Sequence, residues 1–576
     1  MNPAMTRRRF LLNTTKVAAT SAAAALLPAS LLATAQAAKH QRALTALDDY
    51  IREHMRAIGA PGMIVALAGR DGVLRVSQYG LADVKSRQPV RPQHLFEIGS
   101  ISKSFAGICA VQLHEEGRLD LQAPVTKYLP DLALDDKYPP FTCHHLASHT
   151  SGLADDAPLL PNGPLKKLWS GFAPGSEYSY SNTGYQILGM VLQAIEKRPW
   201  AEIVRDRVFG PLGFNDSEPL ITSRIRSRLA TGYSPLRDDQ PFPPAGPLAE
   251  APWADEVEAS GSIAATGDDM AKYLLMLLNR GQGAHRRVLS DAGFNLLVKP
   301  VHKAESWGAN TSYAYGLAVE EADNRTVLRH TGGMVAFSSS VQVDVTNGFG
   351  AFVSVNANLE RYRPNAVARY AIDLLRASAK DEKLPTPPTP SGDPPIKNRD
   401  FVGNYRSVGR GVIFVVEEVN GALMLRNGDT RVPLLPAGSD QFFIDHPRWG
   451  RFYLKFNREV HVEPSSTGRV VEMFHGNDWY FNDLYSGPQK FEFPREWNAF
   501  AGRYRNDSPW WGTAQVFLRK GKLWLGDDPL VDLGDGIFRA GEEESSPERV
   551  SFDGVSNGQA LKMNFSGVDF YRRPEV

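Results

Sequence analysis

Ser100 and Lys103 stand three residues apart in Ser100-Ile101-Ser102-Lys103, the single Ser-x-x-Lys of a 576-residue chain. The apolar run that follows, 105–113, predicts a helix. Three residues is close to one helical turn, so the two side chains would share a face. A hydroxyl at a helix N-terminus sits where backbone N–H groups and the helix dipole favour negative charge. A lysine packed beside it in a dry cleft loses basicity and can accept the hydroxyl proton. The pair can make an alkoxide nucleophile without a His-Asp couple, which is the chemistry of a covalent serine hydrolase. Taken alone, a Ser-x-x-Lys arises by chance about once in a chain of this size. The reading therefore depends on companion residues.

Two companions stand out. Tyr180-Ser181-Asn182 follows the Gly/Ser-bearing stretch Phe172-Ala173-Pro174-Gly175-Ser176 and precedes a helical pattern, and His330-Thr331-Gly332-Gly333 closes a strand pattern. Another Tyr-x-Asn, Tyr480-Phe481-Asn482, falls among strand-like residues far down the chain and is set aside. His144, His145 and His149 raise the alternative of a metal site, since 145 and 149 are four apart, but no Glu lies between them in the zincin pattern.

In this order Ser-x-x-Lys, Tyr-x-Asn and His-Thr-Gly resemble the three motifs of the penicillin-recognising serine hydrolases. The branch they most resemble holds class C β-lactamases, D-aminopeptidases and related esterases. His149-Thr150-Ser151-Gly152-Leu153, Thr183-Gly184-Tyr185 and 261–266 look like that family's connecting motifs, and the resemblance covers about residues 45–375. It implies that Ser100 is the nucleophile and that Lys103 and Tyr180 share proton transfer, with a phenolate-like Tyr180. It implies further that Asn182 bonds Lys103 and the substrate amide, and that Ser100 and Gly333 supply the oxyanion-hole N–H groups. Such donors are commonly worth ~3 kcal/mol each in barrier height. His330 departs from the lysine found in many β-lactamases and transpeptidases. An unperturbed imidazole is mostly neutral at pH 7, so an anchor for a substrate carboxylate is weakened. The alternative is that His330 merely replaces Lys while keeping one donor. The resemblance implies no metal or organic cofactor.

The elements that must position these residues follow from periodicity. Leu44, Leu47, Ile51, Met55 and Ile58 recur at helical spacing, and 63–67 with 73–79 read as a hairpin around Arg70-Asp71-Gly72. A largely helical stretch is expected up to about 280, including 185–197 and 268–279. Strands are expected at 316–319, 327–329, 338–345 and 351–355, and a last helix at 364–378. Strands at both ends with helices between predict an α+β sheet domain carrying a helical subdomain, 38–383. Residues 385–395 hold six prolines, which predicts a stiff linker over 384–397. Beyond it, Phe401-Val402-Gly403-Asn404-Tyr405-Arg406 recurs as Phe500-Ala501-Gly502-Arg503-Tyr504-Arg505, 99 residues on. Two small antiparallel β-barrels of lipocalin-like type, 398–492 and 493–576, are the reading, with one larger β domain as the alternative. This three-domain layout resembles that of D-aminopeptidases.

Composition narrows the function classes. Lys plus Arg and Asp plus Glu are balanced at 64 each, with no basic patch visible in the sequence, so nucleic acid is not an expected partner. Cys109 and Cys143 are the only cysteines. They read as small buried apolar residues, with a single bridge as the alternative. Thr6-Arg7-Arg8-Arg9-Phe10-Leu11 and the Ala/Leu-rich stretch after it resemble a twin-arginine export signal over 1–37, cleaved after Ala35 or Ala37. A periplasmic or secreted enzyme with no stable membrane span after cleavage is expected. A retained anchor is the alternative.

The expected function is hydrolysis of a small peptide, amide or ester, D-aminopeptidase-like, with an esterase or weak β-lactamase as the near alternative. A catalytically idle cell-wall-binding or ligand-carrying protein is the alternative of another class. Trp510-Trp511 are expected to pack in a core or on a sheet face rather than line a ligand site, and 241–253 to form a surface loop that could rim the cleft. Deleting the barrels is expected to alter substrate range more than chemistry.

Overall fold

The computed structural model describes residues 40–574 apart from 244, 359–363, 393–395, 410 and 460–467. The proposed export signal lies outside the described residues. Among them, no helix is long and apolar enough to cross a membrane.

The sheet domain is built on nine strands: β1 (Gly62–Gly69), β2 (Gly72–Asp83), β3 (Gln88–Pro89), β4 (His302–Lys303), β5 (Thr311–Tyr313), β6 (Ala318–Ala322), β7 (Arg325–Gly333), β8 (Ser338–Asp344) and β9 (Phe349–Val355). They form one sheet in the order β3-β2-β1-β9-β8-β7-β6-β5-β4. The interior strand β1 reads Gly-Met-Ile-Val-Ala-Leu-Ala-Gly and is buried throughout. Its alternate residues serve opposite faces. Met63, Val65 and Leu67 pack on a layer made by α1 (Gln41–Ile58) and a C-terminal helix, Asn365–Ala379. Ile64, Ala66 and Ala68 join the larger core on the other face.

That larger core holds α2 (Ser102–Glu115), α3 (Asn182–Glu196) and α4 (Gly267–Leu278). The insertion between the two groups of strands is less helical than its sequence predicts. Long irregular segments join short helices such as Cys143–Ala147 and Trp200–Val204. A second correction concerns Gly316, read from sequence as the start of a strand. It has φ +78°, and a Cβ there would lie 2.6 Å from the Lys103 carbonyl oxygen. The glycine lets a turn press against α2, and β6 begins two residues later. Cys109 and Cys143 are free and buried.

The proline-rich segment runs along the α1 layer. Pro390 O meets His54 Nδ1 at 2.7 Å, and Pro385 O accepts the Tyr370 hydroxyl at 3.3 Å. Two closed eight-stranded barrels follow, spanning strands from Gly403 to Phe481 and from Gly502 to Arg573. The sequence repeat has one physical role in both. Tyr405 donates its hydroxyl to Phe401 O at 2.9 Å, and Tyr504 donates to Phe500 O at 2.8 Å. Each bond closes the turn that leads into the barrel's first strand. The interiors are filled by side chains such as Phe414, Phe442 and Phe456 in the first and Phe538, Met563 and Phe570 in the second, the packing that eight strands allow.

Both barrels are held to the sheet domain. Within segment 241–253, expected as a surface loop, Leu248–Glu250 forms a short strand paired with Tyr233–Pro235, and Phe242 is turned toward the first barrel. Phe242 is 6% exposed and its N–H donates to Tyr453 of the first barrel at 2.9 Å. Close by, Asp238 pairs with Arg505 of the second barrel at 2.8 Å and Asp239 with Arg503 at 2.6 Å.

Candidate active site

Ser100 sits in a 3-10 turn, Gly99–Ile101, that feeds directly into α2, so the helix begins earlier than the apolar run alone predicts. The turn is pressed onto the end of β7. A Cβ on Gly332 would lie 1.9 Å from Ile98 O, and one on Gly99, at φ +52°, would lie 2.9 Å from Gly333 O. Only glycine permits this backbone-to-backbone approach. It brings the Ser100 turn alongside Gly333.

Lys103 lies in the first turn of α2 and is fully buried. Its Nζ reaches Ser100 Oγ at 2.9 Å, Asn182 Oδ1 at 2.5 Å and Ser260 O at 2.9 Å. Three acceptors match the three donors of an ammonium. Burial pushes the amine down to about 8, against the opposing pull of Asp155, Asp156 and Glu256. In its neutral form the amine has a lone pair available to the Ser100 hydroxyl.

Asn182 is the first residue of α3. Ser181 caps that helix, its Oγ accepting Gly184 N–H at 3.0 Å, so Tyr180 is delivered at the helix entrance. The Tyr180 hydroxyl interacts with that of Ser100, and Lys103 Nζ lies 4.9 Å from the centre of its ring. Burial raises the Tyr180 phenol well above its ordinary value. This corrects the expected phenolate: the enclosed ring favours the neutral phenol despite the neighbouring lysine.

His330 is 1% exposed. Its Nδ1 lies 2.6 Å from Thr331 O, which assigns the proton to that nitrogen, and its Nε2 accepts the Tyr313 hydroxyl at 2.8 Å. Burial, followed by the Lys103 charge, pushes the imidazole down to about 3. It is a neutral, fully engaged group behind the cleft and offers no cation to a substrate carboxylate.

The other histidines are engaged locally. His144 Nδ1 meets the Tyr315 hydroxyl at 2.6 Å, His145 Nδ1 accepts Thr142 N–H at 3.2 Å, and His149 Nδ1 accepts Ser181 N–H at 3.0 Å. His149 thus braces the segment carrying Tyr180, its ring 4.2 Å from that of the tyrosine. Among the described residues, no group of three or more His, Cys, Asp or Glu side chains is placed to hold a metal.

Ser100, Asn182 and Gly333 open onto a cleft of about 1020 Å³. Asp156, Asp255, Glu256 and Glu258 line it, and no Lys or Arg does among the described residues. Burial raises Glu258 to about 7, with Glu256 and Asp156 adding repulsion, and burial likewise raises Glu256 and Asp156. Trp510 and Trp511 of the second barrel form part of the wall. Trp511 also packs on Phe570 in its barrel, as expected, but Trp510 remains 42% exposed. The cleft is therefore shared between the catalytic domain and the second barrel.

Sequence reasoning missed these acids, the Ser260 carbonyl and Trp510. One signal was present: Asp255, Glu256 and Glu258 immediately precede the 261–266 motif, and Asp155-Asp156 follow the His149 motif by two residues.

Comparison with known proteins agrees with this architecture. The Beta-lactamase family model matches residues 47–375, more than half of the chain. A beta-lactamase of Yersinia enterocolitica is 32% identical over 227 residues, covering 38% of this chain and 54% of that protein. Penicillin-binding protein 4* of Bacillus subtilis is 23% identical over 413 residues, covering 66% of this chain and 87% of that protein. The octameric penicillin-binding protein homologue from Pyrococcus abyssi superposes with a TM-score of 0.54 at 22% identity, over 76% of this chain and all of that one, a likeness of fold. With the motif residues assembled around one cleft and the family model matched along the catalytic domain, the chain belongs to the Beta-lactamase family of serine hydrolases.

Proposed function

We propose that the protein hydrolyses amide or ester bonds of small, amine-bearing substrates through an acyl-enzyme on Ser100, as a D-aminopeptidase-like amidase. The carrying observation is a buried lysine lowered to about 8 lying 2.9 Å from the hydroxyl of Ser100, which itself opens onto an acidic cleft.

Neutral Lys103 takes the Ser100 proton as Oγ attacks the substrate carbonyl carbon. The Ser100 and Gly333 N–H groups hold the developing oxyanion. Collapse breaks the bond to the leaving amine or alcohol, which takes a proton from the Tyr180 phenol as Lys103 returns one to Tyr180. A water then attacks the acyl ester and gives its proton to Lys103. Ser100 Oγ departs, recovers that proton, and the acid product is released.

Charge supports the substrate class. Acids crowded in a partly enclosed cleft raise one another's pKa, and a bound ammonium relieves that repulsion. Neutral His330 offers a carboxylate no cation, which counts against a β-lactam or a carboxypeptidase substrate. The D configuration rests on the motif resemblance.

The test is a rate panel of D- and L-alanine p-nitroanilides, p-nitrophenyl esters and a chromogenic cephalosporin, with Glu258→Gln alongside wild type. The proposal expects the D-alanine anilide to lead, and Glu258→Gln to raise KM for the cationic substrates alone. A dominant cephalosporin rate overturns the substrate class. Leading neutral esters make the protein an esterase. No turnover and no labelling of Ser100 would leave an idle binding protein.

A further inference from the structure

The second barrel does more than wall the cleft. Its edge, formed by residues 546–549 and the 566–567 turn, is inserted against the segment 155–171 of the catalytic domain. Trp169 Nε1–H donates to Pro547 O at 2.7 Å, and Asn162 N–H donates to Gly567 O at 3.0 Å. The fit is close: a Cβ on Gly171 would lie 2.6 Å from Pro547 Cα. At the inner end of this seam is Glu548. Its Oε1 accepts the backbone N–H of Asp155 at 2.8 Å, and its Oε2 accepts the Ser566 hydroxyl. Both carboxylate oxygens are thus committed, one to each side of the domain boundary.

Asp155 is the residue that sets the entrance of α3. Its Oδ1 accepts Asn182 N–H at 2.9 Å, and its carbonyl accepts Thr183 N–H at 2.9 Å. Asn182 Oδ1 in turn holds Lys103 Nζ at 2.5 Å. A continuous chain therefore runs from Ser566 through Glu548, Asp155 and Asn182 to Lys103 and Ser100. Every link is a hydrogen bond, and two of them are made to backbone N–H groups whose position follows the chain itself.

We propose that Glu548, supplied by the second barrel, is a positioning residue for acylation: by fixing Asp155 it fixes Asn182 and through it the Lys103 amine against Ser100. The barrel is then a working part of the catalytic centre. This reverses the expectation that the barrels govern substrate range more than chemistry. The inference rests on the proposed Ser100 acylation but not on any substrate class. A misplacement of the order of 1 Å at a catalytic group can lower a rate by about 10²-fold.

The test uses the full chain and a neutral fluorophosphonate, which reports Ser100 acylation whatever the natural substrate. Saturation kinetics of labelling separate binding from the covalent step. Glu548→Ala is expected to lower the maximal labelling rate by at least about tenfold while probe binding changes less than about twofold. Glu548→Gln keeps an acceptor oxygen for Asp155 N–H and is expected to recover most of that rate. Trp169→Phe removes another bond of the same seam without touching Asp155 and is expected to label at the wild-type rate.

An unchanged rate in Glu548→Ala overturns the proposal. So does an equal loss in Trp169→Phe, which would make the seam a generic docking surface, or a failure of Glu548→Gln to recover. If Glu548→Ala does not fold, Ser566→Ala, which removes the other bond of Glu548, takes its place: a lowered maximal labelling rate is expected, and an unchanged rate overturns the proposal. Wild-type protein that does not label at all refutes the acyl-enzyme reading itself, a separate outcome.

Discussion

Lys103 provides the most quantitative prediction. Its amine is lowered to about 8, and acylation requires the neutral form. With that value roughly one molecule in ten carries neutral Lys103 at pH 7 and about nine in ten at pH 9. The acylation rate with a neutral probe, p-nitrophenyl acetate corrected for spontaneous hydrolysis, should therefore rise about tenfold between those pH values and level off above them. An ordinary lysine near 10.4 would be neutral in fewer than about one molecule in a thousand at pH 7, and its rate would still climb beyond pH 10.

The sign of one perturbation also follows. Glu256 is among the anions that hold the Lys103 proton on. Replacing it by glutamine removes that attraction, so Glu256→Gln should move the rising limb to lower pH. Stopped-flow release of p-nitrophenol across pH 6–10 measures both effects. A rate that is flat from pH 7 to 9, one that rises without levelling past pH 10, or a Glu256→Gln limb displaced to higher pH would refute the assignment of Lys103 as base.

Two further outcomes are specific. Tyr180→Phe removes the hydroxyl that returns a proton to the leaving group, and should cost about 10²-fold or more. The loss should be larger for a p-nitroanilide than for a p-nitrophenyl ester, whose leaving group needs less help; equal losses would count against the relay. Gly332→Ala places a methyl 1.9 Å from Ile98 O, a backbone clash expected to cost at least about 1–3 kcal/mol. It should lower the melting temperature and abolish labelling of Ser100, and wild-type stability would show that the turn can yield.

Much of the site was legible because its members lie in short local patterns. Ser100 and Lys103 share one helical turn, Tyr180 and Asn182 flank a helix cap at Ser181, and Gly333 ends a strand. The repeat at Phe401 and Phe500 was legible for a similar reason, since a tyrosine four residues on closes each turn. What escaped has no local signature. The Ser260 carbonyl that bonds Lys103 is a backbone atom, which any residue type could supply. Glu548 and Asp155 are 393 residues apart and meet only because two domains dock. Packing is the common fate of an aromatic in a small barrel, but Trp510 lies on a strand connection that faces the cleft. The helical content of the insertion was overestimated because apolar residues that pack irregular segments can mimic helical spacing over short windows.

The central claim is that Ser100, activated by Lys103, forms an acyl-enzyme. The direct measurement is rapid-quench mass spectrometry of the full chain with p-nitrophenyl acetate, followed by peptide mapping. The account predicts one added acetyl group, on the peptide carrying Ser100, forming in the same burst as p-nitrophenol release. It should be absent from Ser100→Ala and strongly slowed in Lys103→Met. Turnover without a covalent adduct, or an adduct that persists in Ser100→Ala, would contradict it.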